Sequence, residues 1–197
     1  MKNLLLNGSP KSVLSTKDIA NLLSISKESA KVTAARYTQR GLLVRLKRDF
    51  YIAVSKFEKF TEKDFFRASN ILQVPSYISL ISALSYYNIT TQQLQNVYES
   101  IAVKRTKNVK VRNIEFNFYL VKKDFYTGFE LEDNFFIALP EKAFADVVYL
   151  TSLAKYSCDF SAINFKKLNK KKVSEYIQLT NPKTKLFWDK LCKTYKI

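Results

Sequence analysis

The amino-acid sequence predicts an α+β protein whose chain divides into two parts. Two short, capped helical patterns stand close together within residues 15–41, and two branched and aromatic runs follow at 42–54 around a charged turn. Farther on, alternating strand-like runs at 97–138 lie between helical patterns. The 197 residues are 47% hydrophobic and 25% charged, with four Pro and three Gly, so the chain has the apolar content to build a core and disorder is not expected.

The first helix is signalled by Ser15-Thr16-Lys17-Asp18, an acidic variant of the capping box, ahead of Ile19, Leu22 and Leu23 at the spacing of one buried face. Asp18 also places negative charge in the first turn, where the helix dipole favours it. Ser24-Ile25-Ser26 forms a tight turn, with Ile25 pointing inward and Ser26 capping a second helix from about Lys27 to Arg40. Gly41 stands where a glycine ends a helix. Ala30, Thr33 or Ala34, and Tyr37 make the inward face of the second helix, and Lys27, Glu28, Lys31, Val32, Ala35 and Arg36 face out. Leu42 to Leu46 and Phe50 to Val54 then make a hairpin around Lys47-Arg48-Asp49, with Arg45 on the rising strand.

Helix, three-residue turn, helix and basic-tipped hairpin are the parts of a winged helix-turn-helix, expected over residues 1–60. In that arrangement the second helix enters the major groove, where small outward residues allow close approach to base edges. The DNA-binding candidates are Ser26, Lys27, Lys31 and Arg36 on the helix and Arg45, Lys47 and Arg48 in the wing. Asp49 weakens the positive field beside the wing tip.

Thr61-Glu62-Lys63-Asp64 opens a short helix within 55–74, and Pro75 marks a boundary. The run Ser76 to Tyr87 reads as a buried helix. Strands are expected over 97–104 and 114–121, the second with Ile114, Phe116, Phe118 and Leu120 on one face. A basic turn and short strand lie between them, and Phe135 to Ala138 makes another strand. Glu130-Leu131-Glu132-Asp133 reads as an acidic loop. Pro140-Glu141-Lys142 opens a helix with Phe144, Val147, Val148, Leu150 and Leu153 on its apolar face. Short helices near 165–168, 173–179 and 185–195 finish an α+β domain spanning 65–197 with a basic helical C-terminus.

Thirty-three Lys and Arg against 17 Asp and Glu give a net charge of +16, which favours a polyanionic partner. The charge is blocked: net +8 over 1–60, −1 over 61–100, +6 over 101–123, −5 over 124–160 and +8 over 161–197. The absence of histidine excludes His-based triads and general bases, two-His metal sites and classical zinc fingers. Cys158 and Cys192 are too few for a four-thiolate site. A histidine-free nuclease would draw on Asp124, Glu130, Glu132, Asp133, Glu141 and Lys142, but Pro140 and Glu141 are explained as a helix start. No catalytic residue, metal or cofactor is expected. Met1-Lys2-Asn3-Leu4-Leu5-Leu6 begins like an export signal but stops at Asn7, and the uncharged stretch 68–98 is interrupted by Gln and Asn, so a cytoplasmic protein without a membrane partner is expected.

Three segments together resemble the abortive-infection AbiE-type antitoxins (AbiEi), the transcriptional regulators of type IV toxin–antitoxin systems. They are Ser15 to Ala20 continuing through Gly41 to Arg48; Pro75-Ser76-Tyr77-Ile78-Ser79-Leu80 with Ala83 to Tyr87; and Leu139-Pro140-Glu141-Lys142-Ala143 with Asp146 to Leu150. The resemblance covers roughly residues 13–155. It implies a repressor that binds double-stranded DNA at repeats in its own promoter, as separate copies, through Lys27, Lys31 and Arg36 of the recognition helix and Arg45, Lys47 and Arg48 of the wing. It also implies a second domain that counteracts a nucleotidyltransferase-like toxin without a stable complex. Tyr77, Ser79, Tyr86, Glu141, Lys142 and Asp146 match signature positions with no chemical role attached. The alternative from a different class is a non-enzymatic protein- or RNA-interaction module using the same helices as a docking platform, with exposed aromatics stacking on unpaired bases.

Overall fold

Strand and helix signals of short range build the N-terminal part of the α+β fold. The computed structural model describes residues 8–196, so the Met1-to-Leu6 run lies outside the described residues. Strand β1 (Leu14–Ser15) leads into helix α1 (Thr16–Leu23) through a complete capping box. The Asp18 amide donates to Ser15 Oγ at 3.1 Å and the Ser15 amide donates to the Asp18 carboxylate at 2.8 Å. Helix α2 (Lys27–Gln39) starts at the Ser26 cap and ends in a Schellman turn, in which Leu42 N–H reaches the Tyr37 carbonyl and Gly41 N–H the Thr38 carbonyl. Gly41 takes φ +67°, which only glycine adopts without penalty.

Strands β2 (Leu43–Lys47) and β3 (Phe50–Ala53) form the expected hairpin, and β1 adds to it to give an antiparallel sheet in the order β1-β3-β2. The two-residue β1 carries too little pattern to be read from sequence. The core of this unit gathers Leu14, Ile19, Ala20, Leu23, Ala30, Ala34, Leu43, Tyr51 and Ala53, with Leu22, Ile25 and Tyr37 packed against it. Each large side chain so buried stabilises the unit by about 1.5–3 kcal/mol. The one-turn helix α3 (Val54–Phe57) follows, and then α4 (Glu62–Leu72). The chain forms two compact units, Met1–Ala68 and Ser69–Ile197, which divide inside α4.

The second unit is built on a mixed six-stranded sheet. Its strands are β4 (Ser76–Ile78), β5 (Val97–Ala102), β6 (Lys107–Val111), β7 (Ile114–Leu120), β8 (Phe129–Glu132) and β9 (Phe135–Ala138), in the order β6-β7-β5-β4-β9-β8. Pairing is parallel between β4 and β9 and between β5 and β7, and antiparallel elsewhere.

Three expectations are corrected here. The run Ser76 to Tyr87 is a strand followed by helix α5 (Leu80–Tyr86). Tyr77 opposes Ile101 and Ile78 opposes both Ser100 and Ile137, so the segment is buried on both faces and shows no period of two. The acidic stretch 130–133 is not a loop. It is mostly edge strand β8, turned back to β9 at Asp133 and Asn134, which both take positive φ as a two-residue hairpin requires. Charge at an exposed edge discourages further pairing, and here it masked a strand. In β7, Ile114, Phe116 and Phe118 point inward as expected, whereas Leu120 is exposed and Val121 is buried instead.

Helix α6 (Pro140–Ser152) is buried on nearly every side rather than along one apolar stripe. It packs on α5, on β9 and on the two C-terminal helices, α7 (Lys170–Gln178) and α8 (Pro182–Tyr195). Asn169 and Asn181 cap α7 and α8. Both cysteines are free thiols. Among the described residues, no helix is long and apolar enough to cross a membrane.

Candidate functional site

The N-terminal unit presents its cations on an open face. Lys27, Lys31, Arg36, Arg45 and Arg48 are exposed and Lys47 is half-buried. At 3.6 residues per turn, Lys31 and Arg36 project roughly 140° apart around α2, so they flank a stripe rather than share one. The stripe is made of Glu28, Val32, Ala35 and Gln39, all exposed, directly opposite the buried Ala30 and Ala34. Val32 is 59% exposed at its centre. Val32 is one of the residues expected from sequence to face outward, but it was not among the DNA-binding candidates, which are all polar or charged. Ser26 is exposed, but its hydroxyl is engaged in the helix cap, accepting from the Ser29 amide at 3.1 Å.

On the hairpin, Arg45 sits opposite Tyr51, and the Lys47 ammonium lies 4.9 Å from the centre of the Phe50 ring. Arg48 extends into solvent at the tip, with Asp49 3.8 Å away. Asp49 has a structural duty. Its side chain accepts from the Thr16 hydroxyl at 3.0 Å and its carbonyl from the Thr16 amide at 2.9 Å, fixing the tip of the hairpin to the start of α1. Asp18, hydrogen-bonded by Lys11 and Ser15, holds its proton only below about pH 2, since those bonds outweigh the opposing effect of burial.

In the second unit, four of the six signature residues meet. Tyr77, Ser79, Lys142 and Asp146 are all fully buried. The Asp146 carboxylate accepts from Tyr77 OH at 3.0 Å and from Ser79 Oγ at 2.7 Å on one oxygen, and from the Lys142 ammonium on the other. Lys142 Nζ also lies 3.4 Å from the centre of the Phe125 ring. Burial pushes the Asp146 carboxyl up and pulls the Lys142 ammonium down, each offset in part by its partner. Burial and the neighbouring carboxylate drive the Tyr77 hydroxyl well above its ordinary value. Leu80, next to Ser79, is fully buried at φ +57°, a backbone state that costs on the order of 1–3 kcal/mol for such a residue. The Ser79 bond to Asp146 on one side and the Ile81 amide bond to Glu99 at 3.2 Å on the other hold it there. The other two signature residues stand apart: Tyr86 OH donates to Glu132, and Glu141 accepts from the Asn169 amide at 3.3 Å.

Of the carboxylates weighed for nuclease chemistry, Glu132 and Glu141 are thus engaged in separate hydrogen bonds. Among the described residues, no group of three or more His, Cys, Asp or Glu could hold a metal ion. A further buried acid was not singled out from sequence. Glu99 is 4% exposed, and its carboxylate accepts from Tyr156 OH at 2.8 Å as well as from the Ile81 amide. Burial lifts it to about 7 against the lowering effect of those bonds. Its signal was its place as the first charge after the uncharged stretch 68–98.

Comparison of the chain with protein-family models, with curated proteins and with solved structures finds no match.

Proposed function

We propose that the N-terminal unit is a winged helix-turn-helix that binds duplex DNA, and that the protein is a non-catalytic, cytoplasmic repressor of its own operon. The observation that supports this best is the exposed stripe of α2, flanked by Lys31 and Arg36 and accompanied by the cationic hairpin. The stripe enters the major groove, Val32 touches a thymine methyl, and Lys31 and Arg36 reach base edges on either side. Arg45, Lys47 and Arg48 lie against phosphates, which carry affinity but no sequence information. Separate copies occupy repeated sites in the promoter. The resemblance to the AbiE-type antitoxins extends the proposal to the second unit, which counteracts a nucleotidyltransferase-like toxin without forming a stable complex with it.

The test is binding of the full chain to its own upstream duplex and to a scrambled duplex over a salt titration. The own sequence is bound more tightly, and affinity falls steeply with salt as counterions are released. Equal affinity for the two duplexes, or binding indifferent to salt, refutes the repressor reading. The antitoxin half is tested by neutralising Lys31, Arg36, Lys47 and Arg48 together and co-expressing the variant with the neighbouring toxin from a foreign promoter. Repression is lost and rescue from toxicity persists. Returning toxicity with a folded, equally abundant variant refutes the division of labour.

A further inference from the structure

The six-stranded sheet of the second unit ends in two edges of opposite charge. Among the described residues, edge strand β6 has β7 as its one strand neighbour and carries Lys107 and Lys110, with Lys104 and Arg105 just before it. Edge strand β8 has β9 as its one strand neighbour and carries Glu130 and Glu132. The register ties the two ends together. Lys107 pairs with Phe118, Phe118 with Ser100, Ser100 with Ile78, Ile78 with Ile137, and Ile137 with Glu130. One row of side chains thus crosses all six strands on one face, with an ammonium at one end and a carboxylate at the other. The strand directions agree: followed across the sheet, the parallel and antiparallel pairings leave β6 and β8 running in opposite directions. On the other face of the β8 edge, Leu131 is 62% exposed and sits opposite Phe136, which is 42% exposed.

We propose that a second copy of this chain adds its β6 edge to the β8 edge of the first, so that one sheet continues into the next. Opposite strand directions make the new pairing antiparallel, the more stable kind. Continuing the row sets Glu130 of one copy opposite Lys107 of the next, and antiparallel counting then sets Glu132 opposite Arg105 and Leu131 opposite Thr106. Each edge repels an edge of its own kind, since like charges directly opposite destabilise a pair, and the oppositely charged edge is the match that remains. Outer backbone donors and acceptors of both strands gain partners at the same time. The contact is head-to-tail, so any pair of copies keeps one edge of each kind open and association continues past the dimer. A four-residue strand buries little surface, which places the contact at the weak end of interfaces and keeps the copies separate in dilute solution. The inference does not rest on the DNA-binding reading of the N-terminal unit.

The experiment is sedimentation velocity of the full chain over rising protein concentration, at about 0.15 M salt, where repulsion between net charges of +16 is screened beyond roughly 8 Å while contact pairs persist. The weight-average sedimentation coefficient rises with concentration past that of a dimer. Glu130→Lys or Lys107→Glu alone lowers the association constant about tenfold, because an attractive pair becomes a repulsive one. An equimolar mixture of the two single variants restores association, and so does a chain carrying both substitutions; that recovery also shows the single variants to be folded. The control pair Lys171→Gln with Lys172→Gln, on α7 and away from both edges, changes nothing. A chain that stays monomeric at every concentration leaves these edges to a different partner and overturns the proposal. Association that stops at a dimer, is untouched by the single variants, is weakened equally by the control pair, or is not recovered in the mixture overturns it as well.

Discussion

Replacing Lys142 by Met tests how the second unit tolerates its buried charges. The substitution keeps an unbranched side chain of similar length beside Phe125 but removes the ammonium. Asp146 then retains only Tyr77 and Ser79 as donors, both on one oxygen, and the other oxygen loses the Lys142 ammonium. Breaking a buried pair from one side costs about 3–5 kcal/mol, because the remaining charge is left without compensation. At about 2–4 °C per kcal/mol, that lowers the unfolding temperature by roughly 6–20 °C. Trp188, the only tryptophan and a buried residue of the second unit, reports the transition in urea through its fluorescence. The deficit also depends on pH with a defined sign. Without Lys142, the Asp146 carboxyl rises farther above its unfolded value of about 3.9, so the folded state holds a proton that the unfolded state has released. The deficit against the native chain therefore shrinks as pH falls from 8 toward 4, by at most about 1.4 kcal/mol per pH unit. Adding Asp146→Asn to Lys142→Met abolishes that slope. A deficit below about 1 kcal/mol, or one that stays constant from pH 5 to 8, refutes the account of Asp146 as a buried carboxylate neutralised by Lys142.

Four further substitutions probe other groups. Glu99, lifted to about 7 in the folded protein, contributes stability that is complete below its ordinary value of 4.5 and is lost as pH rises through 7; Glu99→Gln removes that decline, on the order of 3 kcal/mol, from the urea-unfolding profile between pH 4.5 and 7.5, and an unchanged profile refutes the assignment. In the proposed DNA complex, Arg36→Ala and Val32→Ala narrow the gap between operator and scrambled duplexes, by about 1–3 kcal/mol if Arg36 contacts a base in bidentate fashion, whereas Arg48→Ala weakens both duplexes equally. Uniform losses in anisotropy titrations across all three variants show that α2 is not reading bases.

The N-terminal unit was legible because its signals are local. Ser15 and Asp18 close a cap over three residues, Gly41 ends α2 within one turn, and the Lys47-to-Asp49 turn sits between two branched runs. The second unit was less so. Ser76 to Ile78 became a strand because Ile101 and Ile137 flank it, and those partners lie far away in sequence. Glu130 and Glu132 read as a loop because charge on an edge strand looks like charge in a turn. The signature residues Tyr77, Ser79, Lys142 and Asp146 were found without their role for a related reason. Lys142 and Asp146 are spaced i, i+4 on a helix, which from sequence alone describes an exposed ion pair.

Topology is what turns that pair into a buried one. Strand β4 runs parallel to β9, and β9 passes through Leu139 directly into the proline-opened helix α6. The parallel pairing of Ile78 with Ile137 sets Tyr77 and Ser79 at the strand's end against the first two turns of α6, where Lys142 and Asp146 are one turn apart. Hydrogen bonds from Tyr77 and Ser79 to a single Asp146 oxygen thus close contacts 69 and 67 residues apart in sequence. An apolar contact at this place would stabilise several registers of strand against helix, but three donors converging on one carboxylate are satisfied in only one, since a shift leaves a buried polar group unpaired at about 1–3 kcal/mol each. The same carboxylate steadies Ser79 next to the left-handed Leu80, so the junction of β4 with α5 and the start of α6 are fixed by one residue. Asp146 therefore acts as the point through which strand, helix entry and buried lysine are held in a common register.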